Sequence, residues 1–514
     1  MKSPRWIRVV VLLLAGVGGL IVAAWLLLFR PVAQRTIVDP VQAFNYGSIG
    51  NEAEQGLPYW IWWALPRVFP EYLLSPNDGY GSLGLYWAPN WETELPVGLS
   101  RKTVGVIPRV SVNCAFCHQG SFRLLGERHS TLVPGGAGTR VDPQAYLRFL
   151  ARVGQDRRFG ADTIMAALDG QGLPWWERLL YRYVLIPATG KALKAQAVRY
   201  AWMAGRPDWG RGRIDPFNPV KYHNLGLPDD GTIGNSDIMP VWALEAASRK
   251  DRPHGLHWDG LNTDLFEVAL SGAIGDGTDH DAYPRVAAHL ARLVDWIRLQ
   301  RPPPSPFSST RPDGDPYRVP PEALVQGRAL YREHCARCHE PGGPRFRTVI
   351  PVVEVQTDRH RLDMWTAAAR DRYNAYQKGG PDWGFHAFQK TEGYVATELM
   401  GLWLKGPYLH NGSVPTLCDL LQPPDQRPVR FFRGVDIVDP VNGGFVTPRE
   451  FTATQHSDCG DALGQGLLEW GVAQARFVTP FEVGRPGNGN GGHRYGTQLE
   501  PAQRRALLAY LKTL

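Results

Sequence analysis

Cysteine is scarce, with six residues in a chain of 514, far too few for a disulfide-dense scaffold. Charged residues reach only 20% against 43% hydrophobic, a balance that excludes a disordered chain. Long apolar runs are missing apart from one near the N-terminus, so a polytopic membrane protein is excluded. Clusters of one sign are missing too. The net charge of +7 comes from Arg and Lys scattered along the chain, which reads as general basicity; no nucleic-acid partner is expected. Tryptophan is plentiful at 18 residues, alongside 56 Gly and 43 Pro. Large flat apolar side chains and many loops suggest a fold wrapped around something broad and planar. The length allows two to three domains at ~150 residues each.

Four of the cysteines lie in two pentapeptides, Cys114-Ala115-Phe116-Cys117-His118 and Cys335-Ala336-Arg337-Cys338-His339. C-x-x-C-H is the attachment motif of c-type haem. Two thiols three residues apart reach the two vinyl groups of one porphyrin, and the histidine after them meets the iron from the proximal side. Half a zinc site is the competing reading, but zinc needs two further soft ligands at short spacing, and neither run has a second cysteine pair. Two covalent haem c groups are therefore expected, held by Cys114, Cys117 and His118 and by Cys335, Cys338 and His339.

Lys2, Arg5 and Arg8 precede an uncharged run from Val9 to Phe29. At ~1.5 Å per residue it is long enough for a bilayer core of ~30 Å. It is longer than the h-region of a signal peptide and ends without a small-x-small cleavage site. An uncleaved signal anchor over residues 1–30 is favoured over a cleaved signal. The basic cluster keeps the N-terminus cytoplasmic, so the protein is expected in the inner membrane with its body in the periplasm. In an oxidising compartment the remaining pair, Cys418 and Cys459, reads most simply as a disulfide, with two free buried thiols as the alternative.

The aromatic stretch Tyr59-Trp60-Ile61-Trp62-Trp63 fits either core packing or an interfacial belt. Helical patterns run over Gln144–Val153, over Trp175–Met203 with interruptions, and over Pro284–Gln300. Residues 301–321 hold eight prolines and read as a stiff linker. Glu322–Tyr331 then forms a helix leading into the second attachment motif, and Pro501–Leu514 an amphipathic helix at the chain end. A small cytochrome c is built this way, from an N-terminal helix that carries the motif and crosses a C-terminal helix. The expected fold is mainly α: two cytochrome c-like haem domains with long loops, residues 31–300 and 322–514, joined by the linker at 301–321, plus one N-terminal transmembrane helix.

Two further segments carry a family resemblance. His257-Trp258-Asp259-Gly260, followed by Asp264-Leu265-Phe266-Glu267, resembles the Trp-Asp-Gly-Arg segment and following helix of the bacterial dihaem cytochrome c peroxidase superfamily. Pro407-Tyr408-Leu409-His410-Asn411-Gly412-Ser413 resembles its Pro-Tyr-x-His-Asp/Asn-Gly-Ser segment. The wording Asn411-Gly412-Ser413-Val414-Pro415-Thr416-Leu417, with Gly492-His493 and Gly496-Thr497 near the end, is closest to the latex-cleaving rubber oxygenases. The resemblance implies that Trp258 lies between the haems as an electron bridge. It implies that Ala273 and Ile274 lie near the distal face of haem 1, where rubber oxygenases carry a bulky aromatic side chain. It places a sixth ligand of haem 2 in the C-terminal part. His493 is the choice, with His410 and then Met400 behind it and a plain surface-loop histidine as the competing reading. His257 is the residue that would close haem 1, against a reading as a hydrogen-bonded histidine beside Trp258. A calcium ion between the domains is also compatible with the family, with no ligands assigned.

The departures from the family matter. Peroxidase members carry a Gln and an acid-base Glu where Val268 and Thr278 stand here. Peroxide cleavage needs a carboxylate to move a proton between two oxygens; an apolar pocket suits dioxygen and a hydrophobic substrate. The expectation is thus a membrane-anchored dihaem cytochrome acting as an oxygenase or oxidoreductase with dioxygen on an apolar small molecule or polymer. Its alternatives are a hydrogen peroxide reductase or a pure electron-transfer cytochrome, each served by an electron-donor or acceptor protein.

Overall fold

The computed structural model of the chain describes residues 5–29, 37–88, 94–245, 255–278, 283–376, 385–455, 457–470 and 478–514. Helix outweighs strand, about 43% to 12%. Helix α1 (Arg5–Phe29) is apolar apart from Arg5 and Arg8, and its window Trp6–Leu26 is long enough to cross a membrane, with none of it buried. A signal sequence near an N-terminus can also form an apolar helix of this kind.

Helix α2 (Tyr59–Val68) resolves the aromatic stretch: Tyr59, Ile61, Trp62, Ala64 and Leu65 are all buried, and Trp62 stacks on Tyr80 with ring centroids 4.7 Å apart. The segment is core. It packs in one cluster with helix α3 (Pro143–Gln155), whose Tyr146, Phe149, Leu150 and Val153 repeat at helical spacing on the buried side. Asp142 caps α3 by accepting from the Ala145 N–H at 2.8 Å, and Pro143 takes the first turn. Each of these fully buried side chains contributes about 1.5–3 kcal/mol. The stretch expected over 175–203 is helix α4 (Trp175–Leu180), a π-turn over Tyr181–Leu185 and helix α5 (Ile186–Arg199), followed by a 3₁₀ turn at Ala201–Gly205.

A three-stranded antiparallel sheet lies between these helices and the first cysteine pair. Strand β1 (Leu57–Pro58) pairs with β3 (Ile107–Val112), which pairs in turn with β2 (Leu99–Val104) through a hairpin in register Leu99 to Val112. The strand end at Val112 delivers Asn113 and the turn Cys114–Cys117. Helix α6 (Leu265–Gly275) is capped by Asp264, which accepts from Phe266 and Glu267. Helix α7 (Tyr283–Leu299) buries Val286, Leu290, Leu293, Val294 and Ile297, the spacing read from the sequence.

Helix α8 (Pro321–His334) crosses helix α9 (Pro501–Leu511) at Gly327. A Cβ there would lie 2.1 Å from the Ala506 carbonyl oxygen and 2.7 Å from Tyr510 Cβ, so only glycine allows this approach. Tyr331 and Tyr510 pack one turn further on, with ring centroids 5.3 Å apart. The Cys335 N–H then donates to the Tyr331 carbonyl as the helix ends.

The proline-rich segment departs from the expected spacer. Phe307, Tyr317 and Val319 are buried in one cluster with Trp242 from the N-terminal half and Trp403, Val438 and Phe445 from the C-terminal half. The Tyr317 hydroxyl donates to the Val438 carbonyl at 3.1 Å and accepts from the Leu125 N–H at 2.9 Å. Three large apolar residues among the prolines make the segment a strap across both halves. A second cluster also mixes the halves, joining Leu270, Ile274 and Leu290 to Met364, Trp365 and Tyr373. Buried ion pairs do the same: Arg361 with Asp259 at 3.0 Å, Arg123 with Asp436 at 2.9 Å, and Arg433 with Asp237. Cys418 and Cys459 are joined as a disulfide across a sequence separation of 41, a closure that stabilises by roughly 3–4 kcal/mol in the chain-entropy model.

Candidate haem-binding site

The first attachment turn is held from behind by Asn113. Its Oδ1 accepts from the Ala115 N–H at 3.0 Å, while its Nδ2 donates to the Asn45 and Gly47 carbonyls at 3.2 and 3.1 Å. Gly138 lets another strand of chain pass close by, since a Cβ there would meet the Cys117 carbonyl oxygen at 1.9 Å. His118 Nδ1 lies 2.9 Å from the Met239 carbonyl oxygen. A carbonyl only accepts, so Nδ1 carries the proton and Nε2 keeps its lone pair for a metal. The second turn repeats this arrangement: His339 Nδ1 donates to the Thr397 carbonyl at 2.7 Å. Burial lowers the pKa of both imidazoles, so both stay neutral, as ligands must.

The two sites differ on the opposite side. His493 faces His339 with ring centroids 6.2 Å apart and planes inclined by 47°. Metal–imidazole bonds of ~2.0–2.1 Å on both sides of one iron, with each ring centre ~1.1 Å beyond its nitrogen, call for ~6.3 Å. The pair therefore fits one haem iron between them. Burial first, then His339 and Arg427, push His493 down to about 3, and its Nδ1 is buried without a hydrogen-bond partner. Among the described residues no histidine ring stands opposite His118 in this way.

The loop that carries His493 is fastened by side chains that the sequence reading passed over. The His493 N–H donates to the Val355 carbonyl at 2.8 Å. Arg427, fully buried, donates to the carbonyls of Asn490, Gly492 and His493 at 2.6, 3.0 and 3.3 Å. Asn411 Nδ2 donates to Gly487 and Gly489, and Ser413 Oγ to Gly489. The Asn-Gly-Ser segment is thus a brace for the His493 loop. Asn411 and Ser413 stood in the sequence as parts of the Asn-Gly-Ser segment, with nothing there to show that they fasten a loop 76 residues away. His410 lies elsewhere: it is buried and stacked on Tyr394 at 3.9 Å and 17°. Met400 packs in the cluster of Trp242 and Trp403, and its carbonyl accepts from Trp242 Nε1 at 3.1 Å.

The pair His257-Trp258 has neighbours belonging to both attachment turns. Trp258 packs on the same apolar cluster as Cys338, and its Nε1 donates to the Asp237 carbonyl at 2.9 Å. His257, at φ 63°, is held among Phe217 and Phe388 with Nε2 buried and unpartnered. Burial, then Arg361 and His118, push it down to about 3, which places it close to the first site. Neighbouring residues of one segment thus reach toward the two attachment turns.

Helix α6 carries the residues expected on the distal side. Ile274 points into the cluster of Phe217, Val220 and Met364, and Ala273 lines a narrow cavity with Ile49, Leu270, Thr278 and His289. Val268 and Ala269 pack against the same cluster as Cys114, and Gly272, one turn beyond Val268, has nothing within 4 Å of where its Cβ would lie. Thr278 does not reach the site, because its hydroxyl donates to the Ile49 carbonyl at 2.6 Å. Asp276 does reach it. Its charge adds to burial in raising the pKa of both Cys114 and Cys117, and burial alone pushes Asp276 up to about 7. This carboxyl, at the C-terminal cap of α6 and two residues before Thr278, was not singled out from the sequence. No group of three or more His, Cys, Asp or Glu side chains suited to a metal ion occurs among the described residues.

Comparison with known proteins agrees with a haem c protein. Residues 393–432 match the family described as RoxA-like, cytochrome c-like. The segment includes Thr397, the partner of His339, and Asn411 and Ser413, the brace of the His493 loop. Two proteins of Sinorhizobium fredii (strain NBRC 101917 / NGR234) are similar. The uncharacterized protein y4iM is 32% identical over 269 residues, 47% of this chain and 56% of that protein. The uncharacterized protein y4iJ is 34% identical over 138 residues, 25% of this chain and 19% of that protein. The chain thus matches about half the length of the first relative and a fifth of the second.

Proposed function

We propose that the chain is a dihaem c-type cytochrome, anchored in the inner membrane by α1 with its body in the periplasm, that oxidises an apolar organic substrate with dioxygen. The observation that carries this reading is an asymmetry: His339 is faced by His493 at 6.2 Å, and His118 by no histidine ring among the described residues. When bound, the haems would supply one-electron transfer and, at an iron with a free position, reaction with dioxygen or peroxide. The residues divide the remaining work. Cys335, Cys338, His339 and His493 would hold a six-coordinate group suited to electron transfer. Cys114, Cys117 and His118 would hold the reactive one. Val268, Ala269 and Gly272 give its neighbourhood an apolar, open wall, fitted to a hydrophobic substrate. Trp258, supported by Asp237 and packed on the Cys338 side, is the residue best placed to couple the two.

Asp276 favours hydrogen peroxide reduction as a second reading. A carboxyl that titrates near neutral pH can, as the carboxylate, take a proton from one peroxide oxygen and then give it to the other, the role for which the sequence reading had found no residue.

Spectroscopy tests the ligation. Wild-type protein should show one low-spin and one high-spin c-type signal, the latter shifting with carbon monoxide or cyanide. His493→Ala should convert the low-spin signal partly to high-spin, and His410→Ala should leave it in place. Two low-spin signals in wild type, or the low-spin signal lost in His410→Ala and kept in His493→Ala, would overturn the assignment. Turnover of apolar alkenes with dioxygen, compared with turnover of peroxide by a reduced cytochrome donor, separates the two activities.

A further inference from the structure

The stretch from Trp175 to Arg199 is apolar on two sides. Tyr181, Leu185, Ile186, Leu193 and Ala197 face the core. Outside, Trp175, Trp176, Leu179, Tyr183, Val184 and Val198 are 75%, 44%, 49%, 67%, 43% and 77% exposed. Trp175, Leu179 and Tyr183 follow at steps of four, with Trp176 and Val184 beside them, so the outward side of α4 and the π-turn is apolar, and Val198 stands further along α5. Exposed apolar residues elsewhere in the body, such as Leu74, Val106, Leu125 and Val441, stand singly and need no partner. A contiguous outward face does. Cations accompany it. Lys191 and Lys194 are exposed, and no ion pair engages either among the described residues, while Arg178 and Arg182 pair with Asp169 and Asp162.

We propose that this face rests on an anionic lipid surface and orients the body against the membrane that holds α1; the inference assumes the anchor proposed above. Tryptophan and tyrosine sit at headgroup level with their rings in apolar surroundings, and lysine ammonium groups beside them meet lipid phosphates. A second copy of the chain fits less well, because a two-fold contact would bring Lys191 and Lys194 close to their own counterparts. The tether is short as well. From Phe29 to Ile37 an extended chain reaches at most ~29 Å, which keeps the body close to the bilayer.

The test uses the full chain with a protease site inserted within residues 30–36, reconstituted in vesicles of phosphatidylcholine with or without phosphatidylglycerol. Before cleavage the chain should float with the vesicles; if it does not, the anchor reading fails whatever the helical face does. After cleavage the released body should stay on phosphatidylglycerol vesicles and leave neutral ones. Trp175→Ser/Trp176→Ser/Leu179→Ser, and separately Lys191→Glu/Lys194→Glu, should weaken that partitioning by about tenfold or more with unchanged haem spectra. Release of the wild-type body from anionic vesicles to the same extent as both variants would overturn the proposal. So would a released body that is dimeric by light scattering and becomes monomeric in the first variant, which would assign the face to a second copy.

Discussion

Replacing Arg427 should loosen His493 without touching it. The guanidinium is fully buried, and burial lowers its pKa only to about 10, so it stays charged at neutral pH. It donates to five carbonyls: Leu420 at 3.2 Å, Gln422 at 3.2 Å, Asn490 at 2.6 Å, Gly492 at 3.0 Å and His493 at 3.3 Å. These match the five N–H donors of arginine, whereas a lysine ammonium has three. Arg427→Lys therefore leaves at least two buried carbonyls unpaired, at about 1–3 kcal/mol each, or roughly 2–6 kcal/mol in all. That is a large share of a typical folding stability of about 5–15 kcal/mol. The loss falls on the loop of residues 490–493, so His493 should leave its position before the body unfolds. The assay is the visible spectrum across a thermal ramp. Arg427→Lys should show a high-spin fraction at room temperature, reversed by added imidazole, and Arg427→Ala a larger one with a lower melting midpoint. Arg430→Lys, at an exposed pair with Glu450, should change neither. A wild-type low-spin spectrum and melting midpoint in Arg427→Ala would refute the argument that this side chain holds the loop.

Three further outcomes are expected. Cys114→Ala/Cys117→Ala should reduce covalent haem from two per chain to one, measured by pyridine haemochrome against protein mass, and a wild-type ratio of one would end the dihaem reading. Trp258→Phe, which removes the donor to the Asp237 carbonyl, should slow electron transfer between the sites in flash or stopped-flow reduction while both ligation spectra stay unchanged; an unchanged rate would remove Trp258 from the path. Asp276 is raised by burial from 3.8 to about 7, so its contribution to stability is full below pH 3.8 and is lost as pH rises through about 7. If its carboxylate relays the peroxide proton, turnover should fall below about pH 7 in wild type, and Asp276→Asn should abolish that limb and flatten the stability slope between pH 4 and 7. A wild-type pH profile in the variant would exclude the role.

Covalent chemistry and helical period were legible in the sequence. C-x-x-C-H prescribes its own local turn, so Cys114 to His118 and Cys335 to His339 could be read without a fold. Apolar spacing located α3, α7, α8 and α9, because a helix buries residues three and four apart whatever it packs against. The expected crossing of the helix before the second motif with the last helix is found, with Gly327 at its closest point. Tertiary structure decided which way α6 is turned. Successive helix residues differ in direction by about 100°, and only the packing shows that Ile274 enters one core cluster while Val268 and Ala269 pack against the cluster that also takes Cys114. It decided that Asp276, unremarkable in sequence, stands beside Cys114 and Cys117, since burial by segments distant in sequence sets its pKa. It decided that the proline-rich segment is a strap, because Phe307, Tyr317 and Val319 had somewhere to go. And it decided the partner of His339. Twelve histidines lie outside the two motifs, all chemically able to ligate, and their spacing along the chain does not rank them. Only the folding of α8, α9 and the loop braced by Arg427, Asn411 and Ser413 sets one of them, His493, at the distance an iron between two imidazoles requires.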